Sequence, residues 1–239
     1  MMEDSGVIEE AERVMVITAH PDDAEFSVAG AVAKWAREGK AVIYVICTDG
    51  SRGSNDPQVE PERMVAIRRA EQEAAARLLG VEEIVYLGYE DGTLQPTLAL
   101  RRDLTRAIRC YRPDVVVCPD PTFRYGDGYL NHPDHRAAGD AALDAVFPSA
   151  STRYIFPELL AEGLEPHTVR EVLLRGAPSR NFWVDISDTI GLKIAALKKH
   201  ESQVSHIQGL EEGIRAWARE EAAGQDMIYA ESFKRIILG

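Results

Sequence analysis

Arg13-Val14-Met15-Val16-Ile17-Thr18-Ala19 runs directly into His20-Pro21-Asp22-Asp23-Ala24-Glu25 and then into Phe26-Ser27-Val28-Ala29-Gly30-Ala31-Val32. The first seven residues are apolar and β-branched enough to form a strand, and the pattern from residue 26 to 38 is helical until Gly39 stops it. Between them an imidazole and two adjacent carboxylates crowd one turn. Turn geometry asks for Gly, Asn or Pro, and gains nothing from concentrated negative charge; a divalent cation would relieve the repulsion.

The same alternation continues downstream. Residues 41–47 (Ala-Val-Ile-Tyr-Val-Ile-Cys) are apolar at nearly every position, as expected of a strand covered on both faces. A polar loop over 48–60 leads to a helix at Pro61–Leu79, with Pro at its start and Gly80 beyond its end. A short strand at 84–87, a helix at Leu98–Tyr111, a strand at 114–118, a long loop at 119–131 and a helix at 135–147 follow. This order predicts an α/β fold: a Rossmann-like, doubly wound, mostly parallel sheet with helices on both faces. Beyond residue 148 the alternation weakens, with strands at 169–174 and Phe182–Asp185 and helices at 190–200 and 210–223. No linker or repeat interrupts the chain, so one domain over 1–239 is expected, with a catalytic core of about 13–147 and an elaborated C-terminal third.

With 239 residues, 45% of them apolar, a full core can be buried. A net charge of −12 argues against nucleic acid and anionic membranes as partners. The three cysteines, Cys47, Cys110 and Cys118, have no CxxC spacing, which argues against a disulfide framework or a cysteine-rich metal site. Cys47 and Cys118 read as small buried hydrophobes. The polar start Met1-Met2-Glu3-Asp4-Ser5-Gly6 is unlike a signal peptide, and no apolar run reaches membrane-spanning length. A cytoplasmic protein is expected.

Parallel α/β sheets bind ligands beyond the carboxyl ends of their strands, where the strand order reverses. His20, Asp22 and Asp23 follow the first strand; His132-Pro133-Asp134-His135 follows the fourth. In a 3-2-1-4-5 order these strands are neighbours, and the two clusters meet. His20 and Asp23 then face one point, and His135 completes a His-Asp-His set with room for water, as in catalytic zinc sites. Asp22, beside a ligand without being one, is the candidate general base. His132 would stabilise an oxyanion or protonate a leaving amine, with Asp134 holding its tautomer.

His20-Pro21-Asp22-Asp23-x-Glu25, Thr48-Asp49-Gly50, Arg68-x-x-Glu71 and His132-Pro133-Asp134-His135-Arg136 together resemble the LmbE-like, or PIG-L, family of zinc-dependent deacetylases. The resemblance covers residues 13–146 and resumes weakly at 193–203 and 230–233. It implies Zn2+ held by His20, Asp23 and His135, Asp22 as base, His132 with Asp134 as the oxyanion-side pair, and Arg68 near the substrate. It further implies removal of acetyl groups from N-acetylglucosamine-type sugars or glycoconjugates, with amide cleavage in thiol or sugar conjugates as the alternative, and homo-oligomers, often trimers or hexamers.

Asp49 is expected near the crevice as a substrate-binding candidate or as a turn cap. Glu25 is expected to favour the following helix start through its dipole, and secondarily to steady the metal loop. His200 reads as a helix-end histidine, His167 and His206 as surface residues, and Trp35 and Trp217 as packing residues. Phe123, Arg124, Tyr125 and Tyr129 occupy a loop long enough to cover a site or pack on another subunit. Two other classes compete. Two histidines and a carboxylate also describe a non-heme Fe(II) facial triad, although such oxygenases sit on β-scaffolds. A nucleotide-binding module would need the Gly-rich phosphate loop that the first turn lacks.

Overall fold

The computed structural model describes residues 7–238, so the polar start at 1–6 lies outside the described residues. Its strands are β1 (Arg13–Thr18), β2 (Ala41–Thr48), β3 (Glu83–Tyr89), β4 (Val115–Pro119), β5 (Tyr125–Gly126), β6 (Tyr129–Leu130), β7 (Glu171–Arg175), β8 (Phe182–Asp185) and β9 (Ala230–Ile237). The helices are α1 (Val7–Glu10), α2 (Asp23–Ser27), α3 (Ala29–Arg37), α4 (Pro61–Leu79), α5 (Leu98–Tyr111), α6 (Pro133–Asp144), α7 (Glu158–Ala161), α8 (Ile190–Leu197), α9 (Glu201–Val204) and α10 (Leu210–Glu221). Seven strands form one sheet in the order β3-β2-β1-β4-β7-β9-β8. The first five of these are parallel, while β9 runs antiparallel to both β7 and β8.

Both faces of the sheet are covered, because successive residues point to opposite sides. Val14, Val16, Val42, Tyr44, Val115 and Val117 pack with Val32, Trp35, Ile194 and Leu197 on one side. Met15, Ile17, Ile43, Val45 and Val116 pack with Leu100, Leu104, Ile108 and Ala142 on the other. That double burial is why the strands read as continuous apolar runs. β1 and β4 are hydrogen-bonded neighbours, and the connections leave them in opposite directions, which opens a crevice at their carboxyl ends.

Several expected boundaries shift. The single helix expected over 26–38 is two, α2 and α3, separated at Val28, whose φ of −133° is not helical. The helix expected to run through 147 ends at Asp144, and residues 145–150 form a wider π-type turn. The helix expected over 190–200 stops at Leu197, and α9 begins afresh after His200. The 119–131 loop contains the small β5–β6 hairpin. The last segment, given no assignment from sequence, is β9, inserted between β7 and β8 so that the C-terminal third extends the same sheet. Cys47 and Cys118 are buried as expected, and the three cysteines are unpaired. Among the described residues no helix is long and apolar enough to cross a membrane.

Candidate metal centre and active site

Two helix starts deliver the clusters to the β1/β4 crevice. After β1 the chain turns sharply at Asp22, a non-glycine residue with φ of 90°. Such a backbone costs about 1–3 kcal/mol unless its surroundings hold it. Here they do. The Asp22 N–H donates to Gln72 Oε1 at 2.9 Å, and Arg68 donates to the Pro21 carbonyl at 2.6 Å and to Asp22 Oδ2 at 3.2 Å. Arg68 and Gln72 lie one turn apart on α4 and present one face to the loop. The turn brings Asp23 Oδ2 back under the N–H groups of Ala19 and His20, at 3.1 and 2.9 Å.

After β4, Pro133 opens α6 and His132 caps it, its Nδ1 accepting the Asp134 N–H at 3.2 Å. Gly139 lets α6 sit against the end of β4: a Cβ there would lie 2.4 Å from the Pro119 carbonyl oxygen. That close approach carries His135, one turn earlier, to Asp23, with Nε2 3.0 Å from Oδ1.

The hydrogen-bond network fixes where the lone pairs point. Asn131 donates its amide N–H to the Phe123 carbonyl at 2.7 Å, so its Oδ1 is the atom 3.2 Å from His135 Nδ1. His135 therefore donates through Nδ1 and turns Nε2 toward Asp23, where the nitrogen donates a hydrogen bond when protonated and offers a lone pair to a cation when not. His20 Nε2 lies 3.3 Å from Asp134 Oδ2 and 3.2 Å from Asp91 Oδ1, both acceptors. The Nε2 proton belongs there, and Nδ1, 3.6 Å from Asp23 Oδ2, is the free donor atom. One atom each from His20, Asp23 and His135 thus lies within 4.8 Å of the others. Three lone-pair donors aimed at one place, each fixed from behind by a second hydrogen bond, suit a divalent cation. A second grouping, His20, His132 and Asp134, meets the same distance limit. It is the weaker fit, because Asp134 is fully buried and already accepts the N–H groups of Gly92 and Leu94 at 2.7 and 3.1 Å.

The charges agree with this geometry. Burial lowers the pKa of His20, but hydrogen bonds to Asp134, Asp23 and Asp91 outweigh it and push the ring up to about 12. Burial alone would raise Asp23; the charges and hydrogen bonds of His135 and His20 hold it well below the usual carboxylate range. Burial pushes Asp22 up to about 6, with Arg68 opposing and Asp23 assisting. Burial, with the charge of His20, lowers His132, so it stays neutral near pH 7 with its proton on the outward Nε2.

The clusters meet as the sequence implied, with two differences in detail, while Asp49 takes the turn-cap role of its two expected ones. Asp134 was expected to hold His132, yet its Oδ1 is 4.0 Å from that ring, and its short contacts are with His20 and the 92–94 backbone. Arg68, expected near substrate, is buried and engaged with Asp22, Pro21 and the Gly50 carbonyl. Asp49 caps its turn, accepting the N–H groups of Ser51 and Asp91 at 2.9 and 3.2 Å.

Sequence reasoning missed Asp91, Asn131 and Gln72. An acid before Gly92 at the end of β3 was the available signal for Asp91. Nothing local marks Gln72. Glu25 and His200 are fully buried, with Oε2 and Nε2 3.2 Å apart, and Gln72 donates to Glu25 Oε1 at 3.0 Å. Glu25 therefore steadies the metal loop beyond any dipole effect, and His200 is an interior residue. His167 is half-buried against the Pro113 carbonyl at 2.7 Å, while His206 is exposed as expected. Trp35 is core, whereas Trp217 lines a cavity beside the metal centre.

Fold and site together place a His-Asp-His cluster that could hold a cation at the switch point of a Rossmann-like sheet. A family model described as PIG-L: GlcNAc-PI de-N-acetylase matches residues 15–146, and the chain belongs to this family. Diacetylchitobiose deacetylase from Thermococcus kodakarensis is 34% identical over 194 residues, 81% of this chain and 71% of that protein. A probable N-acetyl-alpha-D-glucosaminyl L-malate deacetylase 2 from Bacillus anthracis is 28% identical over 195 residues, 80% of each chain. The structure of N,N'-diacetylchitobiose deacetylase from Pyrococcus horikoshii, complexed with its inhibitor MPG, matches with a TM-score of 0.91 and 33% identity over 99% of this chain and 88% of that one.

Proposed function

We propose that this chain is a metal-dependent hydrolase that removes the acetyl group from an N-acetylglucosamine-type sugar or glycoconjugate, with zinc held by His20, Asp23 and His135. The observation that carries this reading is the convergence of three fixed lone pairs beside an uncommitted carboxylate oxygen. One Asp22 oxygen is engaged by Arg68, and the other has no partner among the described residues. When bound, the ion would acidify a water and polarise the amide carbonyl. Asp22 takes the proton of the attacking water; a pKa of about 6 leaves it ionised at pH 7 yet able to hand the proton on. Arg68 keeps that carboxylate from rotating away. His132, half-exposed at the crevice, offers its Nε2 N–H as a hydrogen bond to the developing oxyanion, and Asp22 hands the water proton to the departing amine. Asp134 and Asp91 orient His20, and Asn131 orients His135.

The parallel sheet is not the β-scaffold of a facial-triad oxygenase, and carboxylates fill the turn where a nucleotide module needs N–H groups for phosphate. We propose that the whole chain works as one catalytic unit. A cytoplasmic location suits its unpaired cysteines. A homo-oligomer would cover the exposed Tyr125, Leu130 and Phe147. The test is acetate release from N-acetylglucosamine, diacetylchitobiose and non-sugar N-acetyl amines by zinc-loaded protein. Release from the sugars, abolished by a chelator, is expected. Release from the non-sugars alone would contradict the substrate class, and chelator-insensitive release would contradict the metal.

A further inference from the structure

A cavity of about 590 Å3 adjoins the candidate metal centre, with Asp23 and His135 in its lining. It runs over the carboxyl ends of β1, β4 and β7 toward α10, and its wall carries Arg175, Lys193, Arg180 and Trp217. Two of these cations are neutralised. Lys193 Nζ lies 2.6 Å from Glu231 Oε1, and that carboxylate also accepts the Gly30 and Ala31 N–H groups at 3.0 and 2.7 Å. Arg180 Nη1 lies 2.9 Å from Glu221 Oε1. The remaining carboxylate on the wall, Asp120, accepts the N–H and hydroxyl of Thr122 at 2.7 and 2.6 Å.

Arg175 is different. Among the described residues its side chain makes no hydrogen bond or ion pair; its guanidinium carbon lies 5.8 Å from the Trp217 ring centre. An indole steadies a guanidinium plane without occupying its N–H groups. The carboxylates of Asp23, Glu231 and Glu221 lend it charge but no hydrogen bond, and a guanidinium fork matches a carboxylate or phosphate with two parallel hydrogen bonds. The chain's net charge of −12 repels anions at long range, so selectivity for one must be local.

We propose that this cavity is a subsite for an anionic substituent of the substrate, a carboxylate or a phosphate, and that Arg175 reads it. The proposal deepens the hydrolase reading and rests on it for the neighbouring acetamide, but binding can be tested apart from turnover. The carboxymethyl glycoside of glucosamine, its neutral carbamoylmethyl counterpart and glucosamine 6-phosphate would be titrated calorimetrically into the zinc-loaded full chain. At least one anion should bind about tenfold or more tighter than the neutral ligand, since charge-assisted bonds are roughly twice as strong as neutral ones. The preference should fall with added salt, shrink to within about threefold in Arg175→Met, and lie between in Arg175→Lys, which keeps the charge without the fork. The salt series on the parent protein keeps the test independent of how the variants fold. Equal affinity for all three ligands in the parent, or an unchanged preference in a folded Arg175→Met protein, would overturn the subsite. Acetate release, measured separately on the acetylated forms, addresses only the hydrolase reading: anion preference without release would sink that reading and leave the subsite standing.

Discussion

Two clusters of polar side chains lie back to back behind the crevice, and they differ in how their atoms are matched. In the rear cluster, Gln72, Glu25 and His200 alternate donors and acceptors, with His200 Nδ1 alone unpaired among them, and the chain of bonds ends on the Asp22 N–H. In the front cluster, His20 Nδ1 and His135 Nε2 both face Asp23 while the other ring nitrogens are held from behind, so only exchangeable protons lie among the three groups. A network whose donors and acceptors alternate is a scaffold; one whose ligand atoms converge on a point that protons alone fill is a receptor for a cation. The difference teaches that burial and titratable groups do not by themselves mark a metal site, whereas the convergence of ligand atoms does.

That contrast fails first at the front. Asp22→Ala should reduce turnover by about three orders of magnitude or more while zinc stoichiometry stays near that of the parent; loss of zinc there, measured by elemental analysis, would make Asp22 a ligand. His132→Ala, with the ligands intact, should lower kcat by about 10²–10³-fold, the usual cost of an oxyanion donor, with KM little changed. In the rear cluster, Gln72→Leu removes the acceptor for a strained N–H. It should lower kcat or zinc affinity by about 10–100-fold, as loss of an outer partner does. A Gln72→Leu protein with parent kinetics would leave the rear cluster without a role in the site.

The front cluster also predicts a pH dependence. His20, whose pKa is raised to about 12, holds a proton at neutral pH that a cation must displace. Affinity should therefore rise with pH, about tenfold per unit for one released proton between pH 6 and 8. Chelator competition checks this; a flat profile would remove His20 from the ligand set. The smallest effect concerns the helix that carries His135. Gly139→Ala forces α6 away from the Pro119 carbonyl, and should cost about 1–3 kcal/mol in thermal unfolding together with a several-fold loss of zinc affinity.

The sheet was legible because β1, β2 and β4 are buried on both sides and write continuous apolar runs. β9 was not, because Glu231, Lys234 and Arg235 interrupt it; Glu231 is buried by virtue of Lys193 and the Gly30 and Ala31 N–H groups, partners that sequence does not reveal. The break at Val28 has no local marker, since valine tolerates helix interiors. At the site, the convergence of His20, Asp23 and His135, with Asp22 beside them, was readable from two motifs and their places at strand ends. The partners of Asp134 were not, because the 92–94 loop reaches it by tertiary folding alone. Nor was the buried engagement of Arg68, which depends on the unusual backbone of Asp22.

The most direct measurement is a crystal of zinc-loaded protein with anomalous diffraction recorded on either side of the zinc absorption edge. One peak should appear among His20 Nδ1, Asp23 and His135 Nε2, with Asp22 outside coordination distance. A peak at His132 and Asp134 instead, or none in a protein that releases acetate, would contradict the site described.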